Sequence, residues 1–326
     1  MRSPFRRGTL GIVASAPVSR TAAGSSTGSS AGSGFGLSLA RFAGYAAILL
    51  LVVAVATPLL WMVTGAFKTS REIRTLPTVW WPSALQWNSF GDIRASIVNF
   101  TEAWQAAPFG RFYINSLIIT IGGMILELVN AVLTAYALAF LRFPRKNLIF
   151  VLILAALMVP SQVTIIPTYV LLGRTFPDVF GIPSWINTYQ GMIVPGAATA
   201  FGTFLLRQAF LGLPRDVFDA AKVDGCGHLR LLWDIVIPMA KPVMVTFALI
   251  SMVAKWNDYL WPLIITNETA MRPLTVGITY LFDAEGNTNY GVVMAATIFV
   301  IAPLLAVFIW AQRYIIEGMT AGATKG

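Results

Sequence analysis

The stretch FAGYAAILLLVVAVATPLLWMVTGAF, residues 42–67, runs without a single charged side chain. About 20 mostly apolar residues cross the roughly 30 Å of a bilayer's hydrocarbon as a helix. A surface helix of a soluble domain keeps a polar face, and this stretch has none. Five further runs read the same way: about Phe112–Tyr136, Asn147–Leu172, Asn187–Leu206, Pro242–Ile265 and Thr288–Gln312. The second contains Glu127, and the fifth contains Lys255 and Asp258. A closed barrel also satisfies backbone groups in lipid, but its strands alternate apolar and polar residues, and these runs are continuous. The expectation is an all-α polytopic membrane protein with six transmembrane helices.

Composition agrees. Of 326 residues, 56% are hydrophobic and 11% charged, with a mean hydropathy of +0.71. Soluble domains carry about 25% charged residues. One cysteine, Cys226, allows no disulfide within the chain, and one histidine, His228, allows no His-pair metal site. Neither a Walker A loop nor a dinucleotide fingerprint is present, so no nucleotide chemistry and no cofactor are expected of this chain. The net charge of +9 is read as the basic excess of cytoplasmic loops rather than as a nucleic-acid surface.

Six spans put both termini on one side. The N-terminus, the second and fourth inter-span segments and the C-terminus together hold fifteen Lys and Arg; the opposite side holds seven. The basic side faces the cytoplasm. Arg142-Phe143-Pro144-Arg145-Lys146 is its clearest marker. Residues 1–40, rich in Gly, Ser and Ala, are expected to be a disordered tail preceding a permease-type domain at 41–326. The apolar run Leu10–Ala14 is too short for a signal peptide. On the outer side, Trp80, Trp81, Trp87 and Trp104 fit a segment lying at the membrane interface.

The cytoplasmic loop from Arg207 to Pro242 is far longer than a connection requires. Pro214 and Asp216 suit a first helical turn, and Gly225 can take positive φ and end that helix. A second helix is expected from His228 to Val236, stopped by Pro238. Leu229, Leu232 and Trp233 offer it packing. The small pair Ala220 and Ala221 suits close approach by another protein, so the elbow reads as a docking surface.

Within it, Asp219-Ala220-Ala221, Asp224-Gly225 and, after nine residues, Ile235-Val236-Ile237-Pro238 resemble the EAA loop of permease subunits of ATP-binding-cassette importers. That pattern reads Glu-Ala-Ala, three residues, Gly, nine residues, Ile-x-Leu-Pro. Asp219 stands for Glu and Ile237 for Leu. Phe204-Leu205-Leu206-Arg207-Gln208, Trp256-Asn257-Asp258 with Trp261-Pro262, and Arg272-Pro273-Leu274-Thr275-Val276-Gly277 are similar to the maltose-type, carbohydrate branch. The resemblance covers roughly Arg41 to Gly326.

The resemblance implies a transporter subunit, not an enzyme. Two cytoplasmic ATPase subunits would grip the elbow at Asp219, Ala220, Ala221, Asp224, Gly225, Ile235 and Pro238. A second homologous permease would complete the path, and an extracytoplasmic sugar-binding protein would deliver a di- or oligosaccharide. Its contact loop would be Arg272, Pro273, Leu274, Thr275 and Gly277. The C-terminal segment, read as flexible, would add a second ATPase contact.

Trp256, Asn257 and Asp258 are possible substrate-path residues, by ring stacking and amide hydrogen bonds. Lys255 and Asp258, three apart, share a helix face and can pair, either in a gate or in packing. Glu127 is read as a packing group hydrogen-bonded to other spans. Cys226 and His228 do not make a metal site. Gly122, Gly123, Gly196 and Gly202 allow close helix approach. Two other classes compete: an ion-driven secondary transporter of small polar solutes, which needs no docking elbow, and a membrane-embedded enzyme, for which convergent catalytic groups are too few.

Overall fold

The computed structural model describes residues 31–83, 93–282 and 288–323, with side chains over 41–83, 97–282 and 288–312. Residues 1–30 of the expected tail, Trp87 and residues 283–287 lie outside the described residues. No strand occurs among the described residues. The chain divides into Met1–Thr57 and Pro58–Gly326. The first unit holds most of α1 (Ala31–Gly65), which begins inside the stretch read as tail. Residues 41–55 are all exposed, as lipid-facing apolar side chains are.

In the second unit, α2 (Ser70–Arg74) opens with a Thr69 capping box, in which the Thr69 hydroxyl and the Glu72 carboxylate satisfy each other's backbone N–H groups. The helix α3 (Ile93–Ala106) leads to α4 (Phe109–Phe140), 32 residues and about 48 Å long. α4 is the backbone of the unit. Its N-terminal half packs with Trp256, Leu274 and Ala295, and its C-terminal half with Leu206, Phe218 and Val236.

Among the described residues, four helices are long and apolar enough to cross a membrane: Arg41–Gly65, Phe109–Phe140, His228–Trp256 and Tyr290–Gln312. The expected third span is bent instead. α5 (Lys146–Ala156) and α6 (Ser161–Val170), continued through a π turn into α7 (Phe176–Phe180), meet at 96°, which brings the count to five if the pair is one span. Pro160 causes the break, because a proline forces its predecessor away from helical backbone and offers no N–H.

The expected fourth span, Asn187–Leu206, is also broken. α8 (Tyr189–Ile193) gives way at Pro195 to a 3-10 turn, and α9 (Ala200–Leu211) restarts at Thr199, whose hydroxyl accepts the Gly202 N–H at 3.3 Å.

α10 (Arg215–Val223) and α11 (His228–Leu231) form the elbow. Pro238 does not end the second helix as expected. A π turn over Leu232–Val236 widens the coil, and α12 (Ile237–Trp256) continues it. The wider turn, with its i→i+5 bonding, makes room for a ring that carries no N–H. The fifth span therefore ends at Trp256 rather than Ile265. α13 (Leu260–Ile265) and α14 (Leu274–Gly277) follow as separate pieces. α15 (Tyr290–Ala323) then runs past the expected sixth span, so the C-terminal segment to Ala323 is helical rather than flexible.

Candidate functional site: an elbow, a cavity and a buried turn along one long helix

At the C-terminal end of α4 the elbow closes with a double hydrogen bond. The Cys226 N–H donates to Ala221 O at 2.9 Å and the Gly225 N–H to Lys222 O at 3.0 Å. This is a Schellman arrangement. It needs a left-handed residue at 225, and Gly225 supplies φ +74°. Asp224 is the C-cap.

One face of α10 is built into the core, with Phe218 5% and Ala221 6% exposed. Phe218 packs against Phe140 with ring centroids 4.8 Å apart and the rings tilted by 43°. Ala221 is thus small for packing within this chain, and only Ala220 of the alanine pair is exposed. Asp219 faces outward and pairs with Lys222 at 3.2 Å. Val223, Leu229 and Trp233 also face outward, at 88%, 73% and 65% exposure. Of the three residues read as packing groups, only Leu232 is buried. Ile235 is half-buried in the π turn and Pro238 is exposed. The Tyr136 hydroxyl lies 3.0 Å from His228 Nδ1 and ties the elbow to α4, a link with no sequence signal.

Midway along α4, Glu127 meets α12. Lys255 does not pair with Asp258 as expected, because the helix ends between them. Its Nζ lies 3.1 Å from Glu127 Oε2 and donates to Gly196 O at 3.2 Å. The Ser251 hydroxyl donates to the same Glu127 oxygen. Gly123 makes this possible, since a Cβ there would sit 2.7 Å from Lys255 Cδ.

Beside the pair opens a cavity of about 590 Å³ between α6, the broken 193–196 segment and the 257–261 turn. Asn257 and Asp258 line it. Trp256 does not: it is 3% exposed, and its indole N–H donates to Val300 O at 3.0 Å. The aromatic side chains on the cavity wall are Tyr259 and Trp261, joined by the polar Gln162 and Thr168. No sequence signal marked Gln162 or Thr168, because the bend at Pro160 brings them there.

At the N-terminal end of α4, the segment Arg272–Gly277 turns inward. Pro273 is buried, and Leu274 and Val276 are fully so. The Leu274 N–H donates to the Ser116 hydroxyl at 2.9 Å, and a Cβ on Gly277 would lie 2.3 Å from the Phe112 ring. Fully buried Asn115 donates to Ala270 O and Arg272 O, both at 2.9 Å, and accepts from the Tyr189 hydroxyl at 2.7 Å. Leu274 and Gly277 are therefore buried within this chain. Exposure passes to Asn267, Glu268, Thr269 and Tyr280 on either side. Arg272 donates to the Tyr280 hydroxyl at 2.6 Å, and Thr275 to Asp258 O at 2.7 Å, which links this turn to the cavity wall.

Residues 130–321 match the family described as binding-protein-dependent transport system inner membrane component. The arabinooligosaccharides transport system permease protein AraQ of Halalkalibacterium halodurans is 31% identical over 271 residues, covering 82% of this chain and 91% of the relative. The sn-glycerol-3-phosphate transport system permease protein UgpE of Yersinia enterocolitica is 34% identical over 228 residues, covering 68% and 78%. Among solved structures, a bacterial ABC transporter involved in the import of the acidic polysaccharide alginate superposes with a TM-score of 0.69 at 20% identity, over 89% of this chain and 99% of that one. That likeness speaks for the fold. The family match takes in the elbow, the cavity-lining turn and the buried Arg272–Gly277 segment together. This multi-pass membrane chain belongs to the binding-protein-dependent transport system inner membrane component family.

Proposed function

We propose that this chain is the permease subunit of an ATP-driven importer for a di- or oligosaccharide. It forms the translocation path with a second, homologous permease. Two cytoplasmic ATPase subunits hydrolyse ATP and push on the elbow, and an extracytoplasmic binding protein hands over the sugar. The domain at 41–326 crosses the membrane six times, the bent pair and the broken 187–206 segment counting as one crossing each. Both termini and the elbow face the cytoplasm, in keeping with the surplus of Lys and Arg there. The binding protein meets the exposed flanks Asn267–Thr269 and Tyr280, while Arg272–Gly277 supports them from beneath. Asn257 and Asp258 face the path.

One observation carries this reading. The elbow is anchored on one side by Phe218 and Ala221 and leaves Asp219, Val223, Leu229 and Trp233 outward. Apolar side chains left exposed in a water-facing loop mark a partner surface. The oligosaccharide is suggested by the name of one relative, the arabinooligosaccharides permease.

The test uses Gly225. No atom lies within 4 Å of a Cβ added there, so a substitution acts through φ alone. Gly225→Val strains the left-handed turn, whereas Gly225→Asn tolerates it. In the reconstituted transporter with its binding protein, Val should leave ATP hydrolysis running without labelled-oligosaccharide uptake, and Asn should largely restore uptake. Wild-type coupling in the Val variant rejects the elbow as the coupling element. Uptake by the permease alone, driven by a proton or sodium gradient, restores the secondary-transporter reading.

A further inference from the structure

The relatives divide by the charge of what they carry: arabinooligosaccharides are neutral, sn-glycerol 3-phosphate is an anion. The cavity beside α12 bears on which kind this chain passes, an inference that rests on the permease reading above. Among the described residues, its wall holds two charged side chains, Lys255 and Asp258.

Lys255 is the sole cation there, and it is already committed. Glu127 sits 3.1 Å behind it, Gly196 O takes a further hydrogen bond at 3.2 Å, and the two charged side chains are only 17% and 13% exposed. As opposite charges 3.1 Å apart, the pair contributes no net charge to the cavity. Moving Lys255 out to meet an anion would strand Glu127 in a low-dielectric site, which is costly. Asp258 then sets the sign of the cavity. Around it stand groups suited to hydroxyls: the Gln162 amide, the Asn257 carbonyl, the Thr168 hydroxyl and the rings of Tyr259 and Trp261.

We infer that this cavity accepts neutral polyhydroxylated solutes and rejects phosphorylated or carboxylated ones, with Glu127 acting as the residue that cancels Lys255. Glu127 touches no solute in this account. It is a positioning residue that works through the charge of Lys255.

The test reads the local potential directly. Cys226 is the one cysteine in the chain, so a Cys226→Ser, Gln162→Cys transporter, assembled with its partner subunits in nanodiscs, carries a single thiol at the cavity in this subunit. It is labelled with cationic and anionic methanethiosulfonate reagents of similar size. One uncompensated charge roughly 10 Å from the thiol changes the ratio of the two rates by about three- to six-fold in water. The cationic reagent should win in this parent. Glu127→Gln should shift the ratio toward the anionic reagent, and Asp258→Asn, at an exposed position, should shift it the same way with little risk to folding. Arabinotriose should slow labelling in the parent, and sn-glycerol 3-phosphate should slow it only in Glu127→Gln. A parent that favours the anionic reagent, or a ratio indifferent to Asp258→Asn, overturns the inference. Because the ratio needs no transport, it separates this failure from a failure of the importer reading, which appears as absent ATP-dependent uptake.

Discussion

Two segments that read alike in the sequence, the elbow at 215–238 and the turn at 272–277, lie at opposite ends of α4 and use their side chains in opposite ways. In the turn, Leu274 is tied to Ser116, Gly277 abuts Phe112, Val276 is fully buried, and the backbone carbonyls at 270 and 272 are held by Asn115. In the elbow, only Phe218, Ala221, Leu231, Leu232 and Val236 are buried, and the apolar Val223, Leu229 and Trp233 are left out. The turn fixes an end of the bundle, and the elbow leaves an apolar face exposed. A recurring motif therefore marks a place where geometry matters, without saying whether its own side chains make the contact.

This contrast predicts where the chain is fragile. Among substitutions in the turn, the largest effect is expected at Gly277→Val. Its Cβ would meet Phe112 at 2.3 Å, and Phe112 is fully buried among Phe109 and Tyr280, with no space to yield. Overpacking of this kind costs about 3 kcal/mol or more. Thermal unfolding of the purified permease pair, followed by size-exclusion recovery, should show a loss of assembled protein. Recovery equal to wild type would place the turn outside the core. Asn115→Ala comes next. It removes two donors and one acceptor and strands two carbonyls and the Tyr189 hydroxyl, at roughly 2–3 kcal/mol. The same assay should show a clear fall in unfolding temperature, and Asn115→Asp should not rescue it, because a carboxylate cannot donate to Ala270 O and Arg272 O.

How far the sequence carried this account follows from the range of the physics involved. Apolar runs report transfer into lipid, a local property summed over about 20 residues, so the helical membrane class and most span positions were legible. Gly225 was legible too, because a left-handed cap is a local demand. The bends were not. Pro160 and Pro195 break helices, yet Pro58, Pro167 and Pro303 lie within them, and the difference depends on neighbours that relieve or fail to relieve the missing N–H. The partner of Lys255 differs from the one its spacing suggests for the same reason. A spacing of three pairs residues only while the helix lasts, and it ends at Trp256. Glu127, 128 positions away in sequence, wins because the close approach at Gly123 lets Lys255 reach it. Trp256 was assigned to the path by residue type, but burial and the Val300 carbonyl give it a structural task instead.

The smallest stability effect is expected on the free face of the elbow, and it is the most discriminating. Trp233→Ala and Leu229→Ala remove large side chains that are 65% and 73% exposed, so the isolated permease pair should unfold within about 0.5 kcal/mol of wild type. Asp219→Asn breaks only an exposed pair with Lys222, an interaction worth about 0–1 kcal/mol. The same substitutions should nevertheless lower co-purification of the ATPase subunits, because they remove the exposed face on which the proposed docking rests. Truncating the neighbouring Phe218 to Ala should do the reverse in emphasis: a core cavity that costs about 3–5 kcal/mol before any partner is considered. If Trp233→Ala destabilised the permease as much as Phe218→Ala does, the outward face would belong to this chain's own core, and the distinction between anchored turn and free elbow would fail.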